Sequence, residues 1–74
     1  MLNSVLYMQA EIANLYMKKH NLTVQEFLEL DKKFDLLDFI ALSYEPFHLM
    51  GNQGILNEIQ EWIEQGNKLM EKGQ

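Results

Sequence analysis

The chain is 74 residues long, carries a net charge of −5, and has a 47% hydrophobic fraction and no cysteine. Eleven acids outnumber six basic residues, all of them lysine, which argues against a nucleic-acid face because phosphate contacts need a basic patch. Without cysteine there are no disulfides or thiolate metal sites, and a domain this short buries only about 60% of its unfolded surface, so self-association or a second protein is the expected stabiliser.

The first helix is predicted over residues 3–19. Its apolar positions fill an arc of roughly 220°, made of one stripe at Val5, Met8, Ile12 and Leu15 and a second at Leu6, Ala10, Ala13 and Met17. Two stripes imply two neighbours. Lys18, Lys19 and His20 place cations at the negative end of the helix dipole, and Asn21 suits a left-handed cap. Thr23 and Glu26 then form a capping box, with Leu22 and Phe27 as its hydrophobic staple, which starts a second helix over residues 24–33. The inner face of that helix is expected to be Val24, Phe27, Leu28 and Leu30.

Phe34–Asp35 reads as a short break, with Asp35 capping a third helix over residues 36–44. Residues 34–51 are apolar nearly all round, as in a segment that runs through a core. Pro46 disfavours helical geometry just before it and removes one backbone donor, so this helix must stop or kink. Gly51-Asn52-Gln53-Gly54 is a turn signal. A fourth helix starts at residue 52 or 53, with Ile55, Leu56, Ile59, Trp62 and Ile63 on one side and Glu58, Glu61 and Glu64 on the acidic other. Gly66 costs about 1 kcal/mol relative to alanine inside a helix, so the helix is expected to end or fray there. Residues 1–66 are then one helical domain, and residues 67–74 a loosely held tail. The expected fold is all-α, a compact four-helix bundle-like single domain.

Candidate chemistry is sparse. The first two helices resemble half of a helix-turn-helix, but the following helix offers Leu, Asp, Phe and Ile where base readers need Arg, Lys, Asn or Gln. Glu45 and His48 match the E-x-x-H spacing of carboxylate-bridged metal bundles. That chemistry needs two copies of the motif plus further glutamates, and one chain supplies one copy. Ser43 near His48 lacks an oxyanion-hole glycine motif, and the paired carboxylates at Asp35/Asp38 and Glu58/Glu61 fall on solvated faces. No cofactor, metal or enzymatic activity is expected. The one candidate polar site is Asp38, Tyr44, Glu45 and His48, which would serve a small ligand or metal if the chain binds one.

The candidate interface is Leu6, Ala10, Ala13 and Met17, with Trp62. A small protein rarely exposes a broad apolar face without using it. The opening residues lack a basic leader and cleavage site, and no run approaches the ~18 apolar residues of a membrane span. A cytoplasmic interaction protein with no membrane role is therefore expected.

The pattern Leu36-Leu37-Asp38-Phe39-Ile40, then Tyr44, Phe47-His48, Gly51, Ile55 and Ile59, preceded by Leu22-Thr23-x-x-Glu26-Phe27, resembles a family of short bacterial proteins known only as a domain of unknown function (number thirty-seven ninety-one). The resemblance runs from Ile12 to Ile63 and rests on Asp38, Tyr44, His48 and Gly51. Pro46, and Phe47 where leucine is typical, depart from it. The resemblance implies no established activity. The family's genes often neighbour those of small proteins similar to ADP-ribosyltransferases, which implies an antitoxin-like or mobile-element accessory role.

Overall fold

The computed structural model describes residues 3–72, with side chains through Leu69. The chain is all-α, in the order α1 (Ser4–His20), α2 (Val24–Phe34), α3 (Leu36–Leu42), α4 (Tyr44–Phe47) and α5 (Asn52–Lys72). The expected third helix is divided in two. The Pro46 ring would collide with the carbonyl four residues earlier, at Leu42, and α3 ends at that residue. Pro46 then lies in the first turn of α4, where an absent N–H leaves no helical bond unmade.

Most helix ends follow the local chemistry. The Asn3 side chain accepts from the amides of Val5 and Leu6 at 3.0 and 3.3 Å and caps α1. Asn21 takes the left-handed conformation (φ 55°). Its N–H donates to the Lys18 carbonyl, and the Leu22 N–H donates to that of Met17 at 2.8 Å; together these form a Schellman closure made without glycine. The capping box of α2 is present in both directions, with Thr23 Oγ1 3.1 Å from the Glu26 amide and Glu26 Oε1 2.8 Å from the Thr23 amide.

The start of α3 differs from expectation. Asp35 is left-handed (φ 55°) and its side chain caps nothing. The Leu37 amide instead donates to Asp31 Oδ1 at 2.7 Å. A residue in the left-handed region, which short polar side chains tolerate, turns the chain sharply enough for a carboxylate of the preceding helix to reach the new amide.

The core runs along the axis of the bundle: Ile12 and Tyr16 from α1, Phe27 and Phe34 from α2, Leu36 and Ile40 from α3, Phe47 from α4, and Ile55, Ile59 and Ile63 from α5. Helix α1 packs against α2, α3 and α5, and the Gln9 side-chain amide ties it to α3 by donating to the Leu37 carbonyl at 2.8 Å. Helix α5 does not end at Gly66 but continues to Lys72, past the start of the expected tail at residue 67; residues 73 and 74 lie outside the described residues. Gly66 is there for closeness, since a Cβ at that position would stand 2.8 Å from Phe34 Cδ1. The glycine lets α5 approach the end of α2. Among the described residues, no helix is long and apolar enough to cross a membrane.

Candidate functional site

Two regions carry the residues singled out from the sequence. The first is the polar set around α4. Tyr44 and His48 lie one turn apart, with ring centroids 5.2 Å apart and planes within 8°. His48 Nδ1 lies 3.2 Å from the Tyr44 carbonyl. A carbonyl can only accept, so Nδ1 is the donor in this contact; His48 itself is exposed. Glu45 and Asp38 are exposed. None of the four main concavities is lined by Asp38, Tyr44, Glu45 or His48. Among the described residues, no three histidine or acidic side chains converge as metal ligands would. The fold thus brings Tyr44 and His48 together as a stacked pair on an open surface.

The second region is apolar. A groove of about 320 Å³ runs between α1 and α2, lined by Leu6, Gln9, Ala10, Ala13 and Met17 from α1, Val24, Phe27 and Leu28 from α2, and Leu37 from α3. None of these side chains is charged. Of the four α1 residues named as an interface, Leu6 is 61% exposed and Ala10 is open. Met17 is half-buried against the core. Ala13 is buried, which corrects its assignment to a free interface: it forms the floor of the groove, because its short side chain leaves the space above it empty.

Val24 and Leu28 also depart from expectation. Assigned to the inner face of α2, they are 62% and 47% exposed and build the far wall of the groove. On a helical wheel they stand about 60–120° from Phe27 and Phe34, on the flank of the apolar arc rather than at its centre. That offset was legible in the sequence. What the sequence lacked was the position of α1, which covers Phe27 and leaves the flank open.

Trp62, the remaining interface candidate, is partly committed inside the molecule. Its indole N–H donates to the Phe34 carbonyl at 2.6 Å, and its ring stacks on Phe39 at 4.4 Å and 15°. Phe34 is the last residue of α2, so its carbonyl has no helical partner, and the indole supplies one. The outer side of Trp62 (41% exposed) helps line a shallow hollow of about 310 Å³ with Phe34, Gly66 and Leu69. Lys33, on its rim, places Nζ 5.3 Å from the centre of the Phe34 ring.

Tyr16, a titratable residue of the core, belongs to neither region. Burial pushes the Tyr16 phenol above its usual 10.0, while its hydroxyl donates weakly to Gln60 Oε1 at 3.4 Å. None of the four main concavities is lined by it.

The family model described as protein of unknown function (DUF3791) matches residues 8–65, most of the chain, and the chain belongs to that family. The match covers α2, α3 and α4 in full, with most of α1 and two thirds of α5. No curated protein matches the chain, and no solved structure does.

Proposed function

We propose that this member of the DUF3791 family is a protein–protein interaction module that acts through the groove between α1 and α2. The observation that carries the reading is an uncharged apolar groove whose walls, Leu6, Val24 and Leu28, are each about half exposed or more. The chain has seventeen charged residues, six basic and eleven acidic, and none of them lines this groove. Interface cores are depleted of charge in this way. The exposed acids of α5, Glu58, Glu61 and Glu64, lie on a helix that contributes nothing to the groove.

The finer reading is a cytoplasmic bacterial protein with no enzymatic activity of its own, in the antitoxin-like or accessory role that the family resemblance implies. A neutralising partner needs a surface rather than a catalytic pocket, and the lining of this groove carries no charged side chain. The competing reading, a ligand or metal site at Tyr44, Glu45 and His48, rests on the pairing of Tyr44 with an exposed His48, and none of the four main concavities is lined by these residues.

The test compares two surface variants for native-host partners and for mass in solution. Leu28→Asp should abolish complex formation, while His48→Ala should leave it intact. If His48→Ala abolishes complex formation and Leu28→Asp does not, the groove is the wrong surface.

A further inference from the structure

Trp62 stands between two hollows. The larger, about 310 Å³, is the one it shares with Phe34, Gly66 and Leu69. A smaller one of about 170 Å³ is lined by Phe39, Glu58, Glu61, Trp62 and Gln65. Trp62 and Gln65 line both, so the two hollows adjoin across a wall one side chain thick. That wall is fixed before anything binds, because the Phe34 carbonyl holds the indole N–H and Phe39 stacks on the ring. An aromatic wall already held in place loses little freedom on association.

The two hollows differ in chemistry. The larger is apolar across Phe34, Trp62 and Leu69, and Gly66 contributes no side chain to fill it. The smaller sets two carboxylates beside two aromatic rings. Glu58 and Glu61 are both exposed, and they stand three residues apart on one helix, where like charges repel. Neither has a lysine three or four residues away along α5, whereas Glu64 has Lys68 at the favourable i, i+4 spacing. Together the two linings hold three carboxylates, Asp35, Glu58 and Glu61, against one ammonium, Lys33.

We propose that this surface docks a basic segment of another protein, in which an arginine stands one helical turn from a large apolar residue. The arginine lays its aliphatic stem on Phe39 and Trp62 and brings its guanidinium to Glu58 and Glu61. The apolar residue fills the hollow beside Gly66. Hollows parted by a single side chain call for occupants that are themselves neighbours, as residues i and i+4 are on a helix. Charge selects against other occupants: a second copy brings its own net −5, and a nucleic acid brings phosphates to the same carboxylates. The surface shares no residue with the groove between α1 and α2, so this inference goes beyond the function proposed above.

Trp62 is the sole tryptophan of the chain, and its fluorescence reports on both hollows directly. The probe is a tryptophan-free, alanine-based helical peptide with arginine and leucine one turn apart, titrated into the full chain at low and at physiological salt. Emission should shift and saturate, and binding should weaken as salt rises. Glu58→Gln with Glu61→Gln should weaken binding roughly 5-fold at low salt and flatten its salt dependence, with helicity unchanged because both side chains are exposed. Replacing the peptide's leucine with alanine, or its arginine with glutamate, should each weaken binding.

An emission spectrum that does not respond to the peptide overturns the proposal. So does an affinity that survives the double glutamine variant, or one indifferent to the peptide's leucine. Leu28→Asp separates this surface from the groove. It should leave the peptide affinity within a factor of two even if it abolishes a native-host complex, and loss of peptide binding in that variant would move the site away from Trp62.

Discussion

Replacing Gly66 with alanine sets two known effects against each other. In a helix interior, alanine should stabilise by about 1 kcal/mol relative to glycine. Here the new Cβ would lie 2.8 Å from Phe34 Cδ1 and 3.0 Å from Cε1. Those atoms are the edge of a buried aromatic ring rather than the end of a flexible chain. Overpacking of this kind costs about 1–3 kcal/mol, so the net effect should be destabilising by about 1 kcal/mol. For a domain of this size that is a fall in melting temperature of about 4–8 °C.

Gly54→Ala is the control. Its nearest neighbour is the terminal Cε of Met50 at 3.0 Å, which can swing away, so the melting temperature should hold or rise. Both melts need one fixed protein concentration, because self-association would make them concentration-dependent. Phe34→Leu closes the cycle: with the ring gone, Gly66→Ala should become neutral or stabilising. If Gly66→Ala alone melts at or above wild type, helix propensity outweighs the contact with Phe34, and the account of why α5 passes through Gly66 is wrong.

Thr23→Ala should cost about 1 kcal/mol in urea denaturation, because it leaves the Glu26 amide uncapped. A loss below a few tenths would mean that the capping box is ornamental to α2. Trp62→Phe keeps the stack on Phe39 but removes the donor to the Phe34 carbonyl, and should cost about 1–2 kcal/mol; an unchanged urea midpoint would show that solvent satisfies that carbonyl. Tyr16 gives a pH signature. Its folded phenol is held above the ordinary 10.0 by burial, so above pH 10 the unfolded chain loses a proton that the folded chain keeps. Stability is therefore intact below pH 10 and falls as pH rises from there through the raised folded value. Tyr16→Phe should lose stability less steeply than wild type in that window, and parallel alkaline curves would contradict the assignment.

Local signals foretold the helix boundaries well where one residue type has one clear use. Asn21 after a lysine pair, and Thr23 three residues before Glu26, each specify a cap that sequence neighbours can complete. The sequence reading went astray where the partner comes from elsewhere in the chain. Asp35 looked like a cap because aspartate usually is one. Its left-handed backbone instead left the cap to Asp31, a residue in the helix before. Gly66 looked like a helix stop because its cost is local, while its benefit, close approach to Phe34, is tertiary. Trp62 looked like a surface anchor because nothing in its own helix reveals that Phe34 ends α2 with an orphan carbonyl. The α4 set was legible as residues but not as a site. Tyr44 and His48 stand four residues apart, one helical turn, and only the fold reveals that none of the four main concavities is lined by them.

The groove is where sequence pattern and packing part most informatively. Amphipathic periodicity counts apolar faces, and it counted two stripes on α1 and one inner face on α2. The monomer buries Ile12, Tyr16 and Phe27 and leaves Leu6, Val24 and Leu28 uncovered.

Leu28→Ala measures what covers them. Leu28 is 47% exposed, and full burial of a leucine is worth about 1.5–3 kcal/mol, so covering its exposed half contributes about 1 kcal/mol. A heterologous partner meets Leu28 once, and the substitution should weaken that complex about 5-fold. A two-fold dimer meets it twice, and the dimer Kd should rise about 30-fold. Mixtures of wild-type and variant chains should then form a heterodimer of intermediate affinity, near the geometric mean. Sedimentation equilibrium reads all three constants. A Leu28→Ala dimer as tight as wild type would mean that α2 takes no part in association. A 5-fold effect on dimerisation would mean that only one of the two copies buries Leu28, which a two-fold dimer does not allow.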